Sequence, residues 1–338
     1  MLQKRIFIYL AILLILYGFW VATKSPGDQN KPNNRNQTIK ILAVGDINLG
    51  RQTGQKILGG DYDYAFEYLN EVISSYDLAF GNLESQLADL DGETQSPTNE
   101  YRFAGPPEGA DGLKSAGFDI VSLANNHMWD YGQTALFETF ANLERAGVEY
   151  TGANRSTANL YKPTTIEVNG QKIAFFAVTM LLNGYEKSGA ADYVAMADTE
   201  KLLPAITAAK AEADWIIVSL HGGIEYRATP IPAKVELARE IVDAGANVVI
   251  GHHTHVPQGV EQYHDGLILY SLGNFAFWQP FGYWTEHSFV TEIYLKPNIG
   301  VDYNPIAINS GWQPRLANGD DEAKILQYVA QLSANLNR

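Results

Sequence analysis

Short apolar runs alternate with amphipathic stretches along most of the chain, and several of the runs stop at residues of an unusual kind. Segments 39–44, 78–80, 119–123, 215–220, 247–250 and 267–272 read as strands, being short, rich in branched and aromatic residues and bounded by turn formers. Gly117, Gly147 and Gly245 each follow an alanine and precede the next strand, as a glycine just past a helix end does. Pro232 suits the first turn of a helix ending near Ala244. This alternation predicts a mostly parallel α/β fold. Asn169-Gly170 between runs 164–168 and 171–178 predicts a hairpin, so the sheet is not purely parallel. The expected arrangement is two sheets packed face to face with helices outside. Stretches 86–102 and 184–197 are polar and irregular, and are expected as long loops near the site or as variable insertions. A last helix over about 320–335 carries Ile325, Val329 and Leu332 at helical spacing and is expected to pack on the outside of the domain.

The amino terminus has a different pattern. Residues 6–22 form an uncharged run of 17 residues directly after Lys4 and Arg5. That is the short end of what spans a bilayer, and the basic flank predicts a cytoplasmic start with the rest of the chain outside. A cleaved signal peptide is the competing reading, but the run ends Phe19-Trp20-Val21-Ala22, bulky where a small-x-small cleavage site would stand. Residues 24–38 contain no hydrophobic residue and read as a flexible tether. The expected organisation is therefore an anchor over 1–23, a linker over 24–38, a large domain over 39–314 and a helical tail over 315–338. The protein is expected at the cell membrane, single-pass, with its main domain extracytoplasmic.

Composition narrows the chemistry. With no cysteine among 338 residues, disulfides, thiolate metal sites, cysteine nucleophiles and a lipidated-cysteine anchor are all excluded. Any metal must be held by oxygen and imidazole nitrogen. A net charge of −14 argues against nucleic acid as a partner, since a phosphate backbone demands a cationic footprint. Other polyanions would be repelled at long range unless bound cations or a local patch offset the field.

The polar ends of the strands supply candidate ligands. The first run leads into Asp46 and Asn48, the second into Asn82 and Glu84, the third into Asn126 and His127, the fourth into His221, and the fifth into His252, His253 and His255. In an open α/β sheet ligands bind beyond the carboxyl ends of the strands, where these residues converge if their strands are parallel neighbours. Asp46 with Asn48, and His253 with His255, are two apart, so an extended chain would point each pair to one side. Together with Glu84, Asn126 and His221 they are enough for two divalent ions, with Mn, Fe or Zn suiting the donors. His127, beside the ligand Asn126, is the candidate to protonate a leaving group. Five of the seven histidines fall in these loops; His264 and His287 do not, and are expected to be ordinary surface or core residues. Weaker candidates are Arg51 as an anion clamp and Glu225 as a partner orienting His221. The aromatics Phe275, Phe277, Trp278, Phe281, Tyr283 and Trp284 crowd one loop as a substrate platform, a docking patch or plain packing.

In this order the motifs resemble the CapA family of poly-γ-glutamate capsule biosynthesis proteins, within the calcineurin-like metallophosphoesterase superfamily. They are Gly45-Asp46 with Arg51, Gly81-Asn82-Leu83-Glu84, Asn125-Asn126-His127 with Asp130, His221-Gly222-Gly223 with Glu225, Gly251-His252-His253-Thr254-His255, and Gly273-Asn274. The resemblance covers roughly 39–314 and implies a four-layer αββα sandwich. It also implies Asp46, Asn126, His221, His253 and His255 as metal ligands, His127 as the catalytic histidine, and a short amino-terminal membrane anchor. Asn48 stands where the superfamily has histidine, and Asn82 where it has a bridging aspartate, with Glu84 the candidate replacement. Each amide binds metal more weakly than the group it replaces. Asp130, His252 and Asn274 are expected to support the site from behind or to meet substrate.

Three function classes follow. One is a metal-dependent hydrolase acting outside the membrane on a phosphoester or on an anionic polymer. Another is a non-catalytic accessory or scaffold subunit of a membrane polymer synthase, in which the same cleft binds polymer or cation. The third, a wall- or carbohydrate-binding module, explains the aromatics but leaves the histidines idle.

Overall fold

A computed structural model describes residues 35–336. The expected anchor and most of the linker lie outside the described residues. Among the described residues no helix is long and apolar enough to cross a membrane. The strands are β1 (Ile39–Ile47), β2 (Leu78–Leu83), β3 (Gln86–Leu87), β4 (Ala104–Gly105), β5 (Ile120–Ser122), β6 (Glu149–Thr151), β7 (Thr164–Val168), β8 (Gln171–Thr179), β9 (Trp215–His221), β10 (Val248–His252), β11 (Val260–Tyr263), β12 (Gly266–Leu269), β13 (His287–Lys296), β14 (Gly300–Asn309) and β15 (Arg315–Leu316). The helices are α1 (Arg51–Leu58), α2 (Asn70–Ile73), α3 (Gly109–Ala116), α4 (Gly132–Ala146), α5 (Thr199–Ala209), α6 (Pro232–Ala244), α7 (Tyr283–Glu286) and α8 (Gly319–Leu336).

Two mixed sheets carry the fold. The first runs β15-β14-β13-β1-β2-β5-β6 and the second β11-β12-β10-β9-β8-β7. All six ligand-bearing strands are parallel to their neighbours among themselves: β1 with β2, β2 with β5, β9 with β10, and β10 with β12. Period-two alternation explains the layering. Ile39, Ile41 and Ala43 of β1 join Phe80, Phe175, Ile217 and Ile250 in a core between the sheets. Leu42 and Val44 face the other way, toward Ile57 of α1, Leu113 of α3 and Phe140 of α4, and a register shift between Ala43 and Asp46 brings Ile47 to the same side. On the second sheet, Phe176, Val218 and Val249 face Leu202 and Ile206 of α5 and Leu237 and Ile241 of α6. Helices thus cover the outer face of each sheet.

The turn chemistry forms as the residues dictate. Gly117 and Gly147 end α3 and α4 in the left-handed conformation, and Pro232 opens α6. Asn169 and Gly170 both have positive φ, and β7 pairs antiparallel with β8 across them. The last helix does more than decorate the outside. Ile325 and Val329 of α8 reach into the core between the sheets, so the tail closes that core. The long β13–β14 hairpin, ten residues on each side, lay unread in the sequence because its strands carry polar residues on one face. Segment 86–102 begins with the two-residue strand β3, paired to β4, and buries Leu87, Thr94 and Ser96.

The two sheets meet at the rim that carries the ligands. Asp46 N donates to Gly273 O at 3.0 Å and Phe275 N to Asp46 O at 2.9 Å, tying the end of β1 to the loop after β12. A Cβ on Gly45 would lie 1.8 Å from Gly273 O, so only glycine permits this approach.

Candidate metal centre and its cleft

The strand ends converge on a buried polar cluster. Asp46, Asn82, Glu84, His221 and His252 are each fully buried, and His253 and His255 nearly so. Ligand atoms of Asp46, Glu84 and His221 all lie within 4.8 Å of one another. His221 Nδ1 is 3.5 Å from Glu84 Oε1, His252 Nδ1 3.4 Å from Asp46 Oδ1, and His255 Nδ1 3.1 Å from Asp46 Oδ2. Asn126 Oδ1 faces His221 Nε2 at 2.7 Å, while its amide nitrogen donates to Asn183 Oδ1 at 3.0 Å. The rings of His221 and His253 have centroids 4.8 Å apart.

Asn82 and Asn274 orient this set. The Asn82 amide nitrogen donates to Asp46 Oδ1 at 2.9 Å and to Glu84 Oε1 at 3.0 Å, and its oxygen accepts from Asn125 Nδ2 at 3.1 Å. Asn274 Oδ1 meets His255 Nδ1 at 2.9 Å. Other candidates have contacts of their own. Asn48, just past the end of β1 at Ile47, is fully buried and its side-chain oxygen accepts from Gly50 N at 2.8 Å. His253 and His255 have φ of 92° and 58°, so their rings converge from a left-handed backbone and not from an extended one. Arg51 places its guanidinium 4.5 Å over the Phe103 ring and donates to Glu100 O at 3.1 Å, clamping the 94–103 loop. Glu225 stands at the lip of the cleft.

Electrostatics separates the two carboxylates. Burial pushes Asp46 up, but His252 and His255 outweigh it and hold the group well below the usual carboxylate range. Burial and then the neighbouring Asp46 charge push Glu84 well above that range. Burial lowers His221 and His252, and lowers His253 to about 3 with help from His255. These imidazoles are therefore neutral at physiological pH, the form that ligates metal. A divalent cation fits this donor set. Asp46 Oδ2, Glu84 Oε2, both ring nitrogens of His252 and Nδ1 of His253 are buried with no hydrogen-bond partner. Orphaned atoms of that kind, clustered, are what a cation would satisfy.

Beside the cluster opens a cleft of about 350 Å³, lined by Asn126, His127, Asp130 and His255 together with Arg102, Tyr101 and Tyr226. His127 Nδ1 is 2.8 Å from Asp130 Oδ2, which also accepts from Phe103 N at 2.9 Å. The Phe103 ring lies 4.3 Å from the His127 ring, so His127 is fixed in orientation from two sides. Both polar segments left open as loops reach this cleft, through Asn99, Tyr101 and Arg102 and through Tyr185. Of the aromatic loop, Phe275 and Phe277 are buried, while Trp278 and Phe281 remain exposed. His264 is exposed and pairs with Asp243; His287 stacks on Tyr283.

Sequence reading missed Phe103, Asn183, Gln279 and Lys234. Only Lys234 left a signal. It shares one helical face with Leu237, Ala238, Ile241 and Val242, so a lysine occupies an apolar position. It is fully buried, which pushes its ammonium down to about 7.

Comparison with solved structures places the fold in a class. The chain aligns to a putative 5′-nucleotidase from Staphylococcus aureus, crystallised with alpha-ketoglutarate, with a TM-score of 0.50 and 14% identity, over 87% of this chain and 58% of that one. The two chains thus share a mixed α/β fold. Residues 40–279 match the family described as bacterial capsule synthesis protein PGA_cap, and the chain belongs to that family. Its relatives include the capsule biosynthesis protein CapA of Bacillus anthracis, 29% identical over 88% of this chain and 74% of that protein. The PGA biosynthesis protein CapA of Bacillus subtilis (strain 168) is 31% identical over 88% and 78%.

Proposed function

We propose that this protein is a membrane-anchored, extracytoplasmic component of poly-γ-glutamate or related capsule polymer synthesis or export, and that its cleft is a metal-dependent hydrolase site. The observation that carries the reading is the meeting of orphaned carboxylate and imidazole atoms beside an oriented His127 at the edge of an open cleft. Asp46, Glu84, Asn126, His221, His252, His253 and His255 would hold one or two divalent ions. When bound, the metal supplies Lewis acidity to a phosphoryl or acyl oxygen. Asp130 holds His127 Nδ1, leaving Nε2 to pass a proton to the leaving group. Arg102 gives the cleft a cation against an anionic substrate, useful in a protein of net charge −14. The uncharged run 6–22 after Lys4 and Arg5 supports anchoring, with synthase subunits in the same membrane as partners.

A second reading is favoured by Asn82. An amide stands at the second-strand position where the superfamily uses a bridging carboxylate, which suits a site that binds cation or polymer without turnover. In this reading the protein is an accessory or scaffold subunit of the synthase.

Metal analysis of the full-length protein after exposure to Mn, Fe and Zn, with a phosphoester and γ-glutamyl amide screen, tests both. The hydrolase reading expects bound metal and turnover in the wild type. It expects metal without turnover in His127→Ala, and loss of both in His253→Ala. A wild type that stays metal-free sinks the metal centre. Full polymer production by His127→Ala cells would transfer the case to the accessory reading.

A further inference from the structure

Lys234 has a geometry that packing alone does not explain. Its Nζ donates to Gly222 O at 2.8 Å and to His252 O at 3.0 Å, carbonyls at the ends of two different strands. β9 and β10 run parallel in register up to His221 opposite His252, so both leave the ladder together. Just beyond, the Gly222 N to His252 O contact stretches to 3.4 Å, and the backbone turns through positive φ at Gly223 and His253. A carbonyl buried there without a donor would be costly, and one ammonium serves both. The lysine stem lies directly under the turn: a Cβ on Gly223 would meet Lys234 Cδ at 3.8 Å and Thr254 Cγ2 at 3.2 Å.

We propose that Lys234 is a positioning residue for the metal centre: by holding Gly222 O and His252 O together it sets the spacing of His221 against His252 and His253. The inference rests on the metal-centre reading above. It explains why a charged side chain is kept at an apolar position of α6, between the sheet and the turn. Its bonds are to main-chain carbonyls and not to a carboxylate, so it draws the two ligand loops together without competing for the ligands.

The test is Co²⁺ binding by the full-length protein, read as affinity and as the visible absorption of the bound ion, with Mn²⁺ affinity alongside. Lys234→Met removes both donors at similar bulk. It is expected to weaken Co²⁺ binding tenfold or more and to shift the absorption bands, because the imidazoles no longer meet at the same spacing. Lys234→Gln keeps N–H donors on a shorter, uncharged arm and is expected to fall between, in affinity and spectrum alike. Should the Met variant fail to fold, the Gln variant decides: a shifted spectrum supports positioning. Wild-type spectrum and affinity in a folded variant, whatever its melting temperature, overturns the proposal and leaves Lys234 a structural residue. Wild-type protein that takes up neither ion overturns the metal centre, and this inference with it.

Discussion

Replacing Glu84 by glutamine should stabilise the chelated protein and cost it its metal. Glu84 Oε1 accepts from Asn82 at 3.0 Å, a bond the glutamine oxygen keeps. The orphaned Oε2 becomes an amide nitrogen in the same buried cluster as the orphaned Asp46 Oδ2. Two carboxylate charges at most 4.8 Å apart repel by about 3 kcal/mol at an effective dielectric of about 20. Burial adds to that repulsion in disfavouring the Glu84 charge, so the gain on removing it is on the order of 3 kcal/mol. At about 2.1 cal/mol/K of unfolding entropy per residue over roughly 300 residues, that is a rise in Tm of roughly 5 °C. Saturating Mn²⁺, at about 100 times its Kd, stabilises the wild type by about 3 kcal/mol and should leave the variant nearly unmoved. Thermal melts in EDTA and in Mn²⁺, at about pH 8, measure all four states. A Glu84→Gln protein that melts below wild type in EDTA, or that gains as much from Mn²⁺, would refute the assignment of Glu84 to the cation.

Two further expectations follow from the same geometry. Asp130→Asn leaves metal affinity intact but loosens His127, and turnover of whatever ester or amide the screen identifies should fall about 10- to 100-fold with little change in KM; unchanged kcat would remove His127 from the chemistry. The folded-state value of His253 is lowered, to about 3 from the ordinary 6.5, so its contribution is complete above 6.5 and is lost as pH falls toward 3. The chelated protein should lose about 1.4 kcal/mol per pH unit in that window from this group alone, and His253→Asn should flatten the slope in urea titrations taken across it.

The strand–ligand rhythm was legible because it depends on local rules. Apolar runs broken by glycine or proline mark strands and helix ends wherever they occur, and five of the seven histidines sit at such breaks. The histidine-rich turn after β10 and the Asn126-His127 pair could therefore be singled out before any contact was known. Which of these side chains meet was settled only by the packing of one sheet on the other. The sequence could not show that Asn48 Oδ1 meets Gly50 N, and His252 looked secondary until both its ring nitrogens proved buried without partners. Phe103 and Lys234 lie far in sequence from the histidines they support, so no local pattern ties them together. Periodicity reports which way a residue faces within its own element. The distance between elements depends on close approaches such as Gly45 against Gly273, which exist only once the sheets are stacked.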